Sequence, residues 1–476
     1  MPFDSATYLK DTLAISPLIV TLLTSIVLLV ISAGNNKWSG IPFVLGLGLT
    51  ISAVLSFLQI DSSFSAFSDM VTIGGISSIG ILFICLIGVL LVSVSKPILE
   101  KQNLFLGEFY VLVGFAITGM MMMVYANDLI MVFIGIETMS IPFYVLAALQ
   151  RNNARSNESG MKYFLIGSFA TGFLLYGIAL LYGATGSTKL LNIGASFIVN
   201  PVSALWWAGM AMLMIGFLFK VGAAPFHFWA PDVYHGAPTA SAAFLATAGK
   251  TAAFITFATV AYRCIPIASP KWVGVVTVIS VLSMAIGNLT ALSQSNIKRI
   301  LGFSSVSHAG YLLIAFATQS VSGYENVVFY SLVYAIMTFM AFAVVGLLEG
   351  KDAPLTLETI RGLGFSRKFE AAILSVSLFS LMGLPPFGGF TAKYLIFVEA
   401  FKNGHTTLVI IAVFASMISV YYYLKVITSL YSKTDNVAEP VQVSKSVIAG
   451  LLGAFILLIL TGIYPSLFLS HLKSLW

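Results

Sequence analysis

The sequence predicts an all-α integral membrane protein with about fourteen transmembrane helices. Of its 476 residues, 58% are hydrophobic and 9% are charged, and the mean hydropathy is +0.97. An average soluble domain carries about 25% charged residues, so the 24 basic and 18 acidic side chains are too few to cover a water-exposed surface. This composition excludes a soluble enzyme, a nucleic-acid-binding protein and a disordered chain.

The apolar residues fall into runs that are long enough to cross a bilayer, which takes roughly 20 residues per helix. The predicted spans cover about residues 14–32, 41–59, 71–94, 106–124, 128–149, 161–183, 203–223, 238–263, 271–292, 300–318, 326–348, 371–399, 405–430 and 446–470. The segment before the first run has Asp4, Lys10 and Asp11 instead of a basic region, so we expect a retained span and not a signal peptide. Cys85 and Cys264 lie in or beside apolar runs and indicate neither a disulfide nor a metal site.

The orientation in the membrane follows from the basic residues of alternate loops, since Lys and Arg favour the cytoplasmic side. With the amino terminus outside, thirteen basic residues lie in inner loops: Lys37, Lys96, Lys101, Arg151, Arg155, Lys298, Arg299, Lys351, Arg361, Arg367, Lys368, Lys433 and Lys445. Six lie on the outer side: Lys10, Lys189, Arg263, Lys271, Lys402 and Lys473. We therefore expect both termini on the outer side, in a membrane that we expect to be the bacterial plasma (inner) membrane.

Several charged side chains fall inside the predicted spans, where an ionisable group is costly and usually functional. The basic ones are Lys162, Lys220, Lys250, Lys393 and Lys425, and the acidic one is Glu137. Lys425 and Lys162 lie near span ends, where a long side chain can extend to the membrane surface. Glu137 could also neutralise a lysine as a static ion pair.

Two spans are interrupted by proline, which removes a backbone hydrogen bond and clashes with the preceding turn. The interruptions surround Pro225 and Pro385–Pro386, and each has a lysine close by, Lys220 before the first and Lys393 after the second. Paired interruptions of this kind indicate inverted repeats around a transport site. We expect spans 1–3 in residues 1–104, one five-helix repeat in 105–265, its inverted copy in 266–432, and a final helix in 433–476.

The buried ionisable groups follow one another in chain order as Glu137, Lys220, Lys250, His308 and Lys393. His308 stands among small and hydroxyl-bearing residues, and a histidine side chain can carry a proton near neutral pH. Hydrogen-bonded packing is the ordinary alternative for this histidine. We interpret the line as a proton relay, which cannot pump without an external source of energy, because moving one charge across 100 mV costs about 2.3 kcal/mol.

At these residues the sequence resembles the antiporter-like subunits of respiratory complex I, the proton-translocating NADH–quinone oxidoreductase. The matching stretches are GIETMSIPFYVLAAL, FKVGAAPFHFWAPDVYHGAPT, ATAGKTAAF, NIKRILGFSSVSHAGYLL and GLPPFGGFTAKYLIF. Within this family the sequence is most similar to the N subunits, since Lys393 stands where M subunits typically have Glu and no long lateral helix follows the last span.

The resemblance implies that Glu137 and Lys220 form the Glu–Lys pair of one half-channel, that Lys250 and His308 connect, and that Lys393 serves a second half-channel. It also implies that Lys162 is a further lysine of the polar axis. The chain would be a non-redox subunit of the translocase with no cofactor of its own. NADH, FMN, iron–sulfur clusters and quinone would belong to partner subunits, among them a neighbouring antiporter-like subunit and small membrane subunits.

Other readings of the same residues remain open at this point. A cation/proton antiporter subunit of the multi-subunit type shares this fold and these lysines, and membrane-bound hydrogenases use similar subunits. A structural membrane scaffold with static lysines is a further alternative. Sodium-dependent transport without quinone reduction would indicate the antiporter, whereas normal pumping after substitution of Lys250 and Lys393 would indicate the scaffold.

Overall fold

The chain folds into a bundle of long helices joined by short connections. The computed structural model describes residues 5–104, 107–199, 203–265, 269–350, 354–433 and 443–472. The helices are α1 Ser5–Ala14, α2 Ser16–Gly34, α3 Ile41–Leu58, α4 Gly75–Lys101, α5 Gly107–Tyr125, α6 Leu129–Ala147, α7 Ala154–Thr185, α8 Leu190–Val199, α9 Ala204–Val221, α10 Trp229–Gly236, α11 Thr239–Phe244, α12 Lys250–Cys264, α13 Pro270–Leu292, α14 Ile297–Thr318, α15 Val321–Leu348, α16 Leu363–Ser366, α17 Lys368–Met382, α18 Gly388–Lys402, α19 Thr406–Leu430, α20 Lys445–Ile463 and α21 Ser466–Leu472.

The predicted spans correspond closely to these helices. Within the described residues, thirteen helical segments are long and apolar enough to cross a membrane, counting Thr239–Cys264 as one. The twelfth predicted span is the remaining one, and it consists of two 15-residue helices, α17 and α18. The prediction of about fourteen membrane-crossing helices is thus confirmed.

One small β-hairpin departs from the all-helical prediction. Its strands, β1 Phe64–Ala66 and β2 Val71–Ile73, pair antiparallel between α3 and α4. The loop between them is fixed by polar contacts, with Asp11 accepting a hydrogen bond from the Phe67 backbone at 2.8 Å. A strand of three residues is too short to produce a readable alternation of polar and apolar side chains.

Polar caps fix the start of several helices, because the first backbone N–H groups of a helix have no partner within it. The side chains of Asp128, Asn153, Ser203, Asn296 and Ser320 accept such bonds at α6, α7, α9, α14 and α15. These caps place α7 and α14 a few residues earlier than predicted. Lys298 and Arg299, which the orientation count assigned to a loop, therefore lie in the first turn of α14.

Glycines allow two pairs of neighbouring helices to approach closely, as is common in membrane bundles. A Cβ at Gly119 of α5 would collide with the backbone of α6 at Met139, and one at Gly287 of α13 would collide with the backbone of α14 at Ser307. The α5–α6 pair opens the first predicted repeat and the α13–α14 pair opens the second.

The most deeply buried helices lie at the centre of the bundle. In α14 every side chain except that of Arg299 is buried, and α12 and α15 are nearly as enclosed. By contrast, α2, α3, α13 and α19 expose large apolar side chains along one face. Polar residues on α12, α14 and α15 are therefore held away from lipid, in the interior where the candidate site lies.

Parts of the predictions fall on residues outside the described ranges. The first residues of both predicted repeats, 105 and 266, are among them, and so are Lys351 and Lys473 of the orientation count.

Candidate functional site

Lys220 lies in the last turn of α9, just before the first helix break. The chain leaves the helix at Gly222, which is in the left-handed conformation with φ 66°, and resumes as α10 at Trp229. The Lys220 side chain is buried, and its Nζ donates a hydrogen bond to Ser140 Oγ of α6 at 2.7 Å. The Tyr144 ring lies beneath the ammonium, 5.7 Å from the ring centre. The break thus positions a lysine against a hydroxyl and an aromatic face.

Glu137 lies one helical turn before Ser140 and does not contact Lys220 directly. No ion pair joins the two residues in the described part of the chain, although the implied pairing required one. Glu137 is half-buried, and its Oε1 is enclosed without a hydrogen-bond partner among the described residues. It shares one side of α6 with the exposed residues Ile134 and Ile141, three and four positions away. The other side of α6 packs on α5. The Glu137 carboxylate therefore borders the surface of the subunit.

Lys250 begins α12 directly after a π-helical turn, Leu245–Gly249. Such turns are rare and occur often at functional sites. The side chain is 3% exposed, and its Nζ donates to the backbone oxygen of Ser305 at 2.5 Å and to Ser305 Oγ at 2.6 Å. The Tyr334 ring is 5.3 Å from the ammonium.

His308 follows Ser305 by one turn on α14 and is held between two tyrosines. Its Nδ1 lies 2.8 Å from the Tyr330 hydroxyl and its Nε2 lies 3.3 Å from the Tyr423 hydroxyl. The Tyr423 hydroxyl also bonds to Ser304 Oγ. Because a phenol can donate or accept, both ring nitrogens have a partner in either neutral tautomer.

Lys393 lies on α18, just after the second helix break, and its ammonium points back to the end of α17. Nζ donates to the backbone oxygens of Leu381 and Met382 at 3.0 and 2.9 Å, and to Ser416 Oγ at 3.0 Å. The carboxyl end of a helix carries partial negative charge, so the break itself provides the acceptors. The Tyr311 ring is 4.9 Å from the ammonium.

Lys220, Lys250 and Lys393 share one environment that the sequence did not reveal. Each ammonium contacts one serine hydroxyl from another helix, and none forms an ion pair with a carboxylate within the described residues. The serines are Ser140, Ser305 and Ser416. Ser140 and Ser305 lie within the stretches that carry the family resemblance, and this position was the one sequence signal for them. Serine is frequent in these spans, so the signal did not single them out.

Lys162 lies apart from this interior. Its side chain is 44% exposed and forms ion pairs with Glu158 at 2.6 Å and with Asp232 of α10 at 3.4 Å. Asp232 in turn pairs with Arg299 of α14 at 2.7 Å. The structure thus places Lys162 in a charged cluster that links α7, α10 and α14, and not in contact with the buried lysines.

A buried ion pair near this cluster was missed by the sequence reasoning. Lys298 Nζ and Glu349 Oε1 are 3.1 Å apart, and both side chains are almost fully enclosed. Thr239 donates to the other carboxylate oxygen of Glu349. Each residue stands at the end of a predicted span, where a charge is ordinarily solvated, so burial of this pair could not be predicted.

No group of three or more His, Cys, Asp or Glu side chains able to hold a metal ion occurs in the described ranges. The groups that surround Lys220, Lys250, His308 and Lys393 are hydroxyls, aromatic rings and backbone carbonyls. Such groups can hold and pass protons.

Comparison with known proteins identifies the family. Residues 126–419, more than half of the chain, match the family model described as NADH:quinone oxidoreductase/Mrp antiporter, transmembrane. A relative from Chloroherpeton thalassium, NADH-quinone oxidoreductase subunit N 1, is 39% identical over 97% of this chain and 98% of its own. The chain belongs to the subunit N family of complex I. These proteins are the antiporter-like, proton-translocating membrane subunits of NADH:quinone oxidoreductase.

Solved structures agree with this membership. A chain of respiratory complex I from Thermus thermophilus superposes with a TM-score of 0.82 at 31% identity, covering 95% of this chain and 98% of that one. A chain of the Mrp complex from Dietzia sp. has a TM-score of 0.86 at 19% identity, covering 97% of this chain and 96% of that one. At that identity the Mrp chain shows only a shared fold.

The family resemblance seen in the sequence is therefore confirmed, and with it the function as a proton-translocating complex I subunit. The protein is a multi-pass membrane protein that works with other subunits, and the cofactors of the complex reside in those subunits. The antiporter and scaffold alternatives give way to this assignment.

Proposed function

We propose that protons cross this subunit through a relay formed by Glu137, Lys220, Lys250, His308 and Lys393. The observation that carries the proposal is that Lys220, Lys250 and Lys393 each pair with a serine hydroxyl and not with a carboxylate. A hydroxyl accepts a hydrogen bond from an ammonium and can donate one to a neutral amine. Each lysine therefore keeps a partner in both protonation states, whereas a fixed carboxylate partner would favour the charged state alone.

Glu137 is the proposed input of the relay. Because it borders an exposed apolar side of α6 with one carboxylate oxygen unpartnered, a rearrangement in an adjoining subunit can change its surroundings directly. The adjoining partner is a membrane subunit of complex I, either antiporter-like or small. Moving the negative charge of Glu137 relative to Lys220 would change how strongly the lysine retains its proton.

The later steps run through the buried helices. Lys220 passes its proton toward Lys250, whose contact with Ser305 lies one turn from His308 on α14. His308 and its tyrosines then lead toward Lys393 at the second break. Water molecules complete the path between these groups. Lys162 is the further lysine of the proposed polar axis, and it lies at the inner ends of α7 and α14, where it pairs with Asp232.

The domain division is likewise a proposal, with helices α5–α12 forming one five-span unit and α13–α19 its inverted copy. Two features support it: glycine-mediated packing at the first two helices of both units, and a helix break beside a buried lysine in both. In the first unit the lysine precedes the break, and in the second it follows.

The remaining details rest on the family assignment. NADH, FMN, iron–sulfur clusters and quinone are proposed to be bound by partner subunits, with their electron transfer supplying the energy. The bacterial relatives favour the plasma (inner) membrane as the location, and the distribution of basic residues favours both termini on the outer side.

The test is proton pumping by the assembled complex in liposomes, measured per electron delivered from NADH to quinone. Lys220→Ala and Glu137→Ala are each expected to lower the number of protons moved per electron or to slow both processes together. Lys425→Ala, a lysine of α19 outside the relay, is the matched control. Unchanged pumping in both relay variants would refute the assignment.

A further inference from the structure

An apolar groove opens on the surface of the bundle between α9 and α13. Its volume is about 690 Å³, and its floor is formed by the buried side chains of Met210, Met214 and Trp272. The walls include Ala204 and Ala211 of α9. None of the relay lysines lines the groove. Proton transfer therefore gives the groove no role.

The dimensions of the groove match one leaflet of a bilayer. Along α9 it extends from Ala204 to Met214, about 15 Å at 1.5 Å per residue. The hydrocarbon core of a membrane is about 30 Å thick, so the groove covers one half of it. A partner's transmembrane helix would cross both halves, whereas a phospholipid acyl chain ends at the midplane.

A glycine keeps one wall of the groove open. Gly274 lies within α13, and a Cβ at this position would meet no atom within 4 Å. Glycine destabilises a helix interior relative to alanine, and no close approach to another described residue requires it here. The absence of a side chain leaves this part of the groove open to an occupant from outside the chain.

The groove ends at a positive charge beside an indole ring. Lys271 Nζ lies 5.7 Å from the centre of the Trp207 ring, so the two side chains join α13 to α9 at this end. No carboxylate forms an ion pair with Lys271 within the described residues. Tryptophan and lysine are typical of the headgroup level of a membrane.

We propose that the groove binds an anionic phospholipid, with one acyl chain lying along Met210 and Met214 and the headgroup phosphate at Lys271. The lipid fills the gap between the two five-helix units on the side of the membrane where α9 and α13 begin. This assignment does not depend on the proton relay.

The test uses the assembled complex in liposomes that contain a phosphatidylglycerol with a photoreactive diazirine on its acyl chain. After illumination, mass spectrometry should find the label on peptides covering 204–214 and 270–275. Gly274→Leu should remove this labelling because its side chain fills the groove. Gly453→Leu is the matched control, since that glycine of α20 also has open space around it.

A second variant addresses the headgroup at the end of the groove and leaves the apolar part of the groove open. Lys271→Gln should lower labelling by phosphatidylglycerol about fivefold, the effect of one lysine near an anionic headgroup, and leave labelling by a phosphatidylcholine probe unchanged. Equal labelling of wild type and Gly274→Leu would overturn the proposal. So would a photoreactive residue placed at Ala211 that cross-links to a partner subunit instead of lipid.

Discussion

Replacing Ser305 by alanine tests the proposed role of the serine hydroxyls at the lysine with the simplest surroundings. Lys250 has two hydrogen-bond acceptors, the backbone oxygen of Ser305 at 2.5 Å and its hydroxyl at 2.6 Å. Ser305→Ala removes the hydroxyl and leaves the backbone oxygen. The ammonium therefore keeps one partner, while a neutral amine loses the one hydroxyl that bonds to Lys250 among the described residues.

The magnitude follows from the net value of a hydrogen bond between uncharged groups, about 1 kcal/mol, because the bond lost without a substitute is the one to the neutral amine. Since about 1.36 kcal/mol corresponds to a factor of ten in rate, proton transfer through Lys250 should slow about fivefold.

The assay is proton uptake or release by liposomes that contain the assembled complex, recorded together with NADH oxidation. Ser331→Ala is the control, because the hydroxyl of this buried serine of α15 donates to the Val327 backbone oxygen of its own helix and to no lysine among the described residues. If Ser305→Ala pumped protons at the rate of Ser331→Ala, the reasoning from the hydroxyl would be refuted.

Two further substitutions test other parts of the interior. Lys298→Met leaves Glu349 buried without its ion-pair partner and should destabilise the folded subunit by about 3–5 kcal/mol. Thermal dissociation of the complex measures this loss. The double variant Lys298→Met/Glu349→Gln should recover most of it. Tyr423→Phe removes the hydroxyl that bonds to both His308 and Ser304. Loss of such a hydrogen bond costs about 1 kcal/mol, so pumping should slow about fivefold. The control Tyr176→Phe, on the exposed side of α7, should pump like wild type.

The positions of the spans could be predicted from the sequence because bilayer thickness fixes the length of an apolar run. The helix breaks were equally readable, since proline limits the backbone locally. Both properties depend on neighbouring residues in the chain. The buried lysines could be identified for the same reason, because a charge within an apolar run is conspicuous.

The partners of those lysines could not be predicted, because they come from helices distant in sequence. Ser140 and Lys220 are separated by 80 residues, and Ser305 and Lys250 by 55. Glu137 and Lys220 form no ion pair within the described part of the chain, although the family resemblance implied one. Helices of this protein are apolar on lipid-facing and protein-facing sides alike, so periodicity did not reveal that Glu137 borders the surface.

Lys220, Lys250 and Lys393 are proposed to carry the translocated proton, and a substitution at Lys393 gives the sharpest test of that role. Lys393→Met retains the bulk of the side chain but removes the ammonium that bonds to Leu381, Met382 and Ser416. In liposomes containing the assembled complex, the protons moved per electron, or the rates of pumping and electron transfer together, should fall well below those of Lys425→Met. Wild-type pumping and wild-type electron transfer in Lys393→Met would contradict the account.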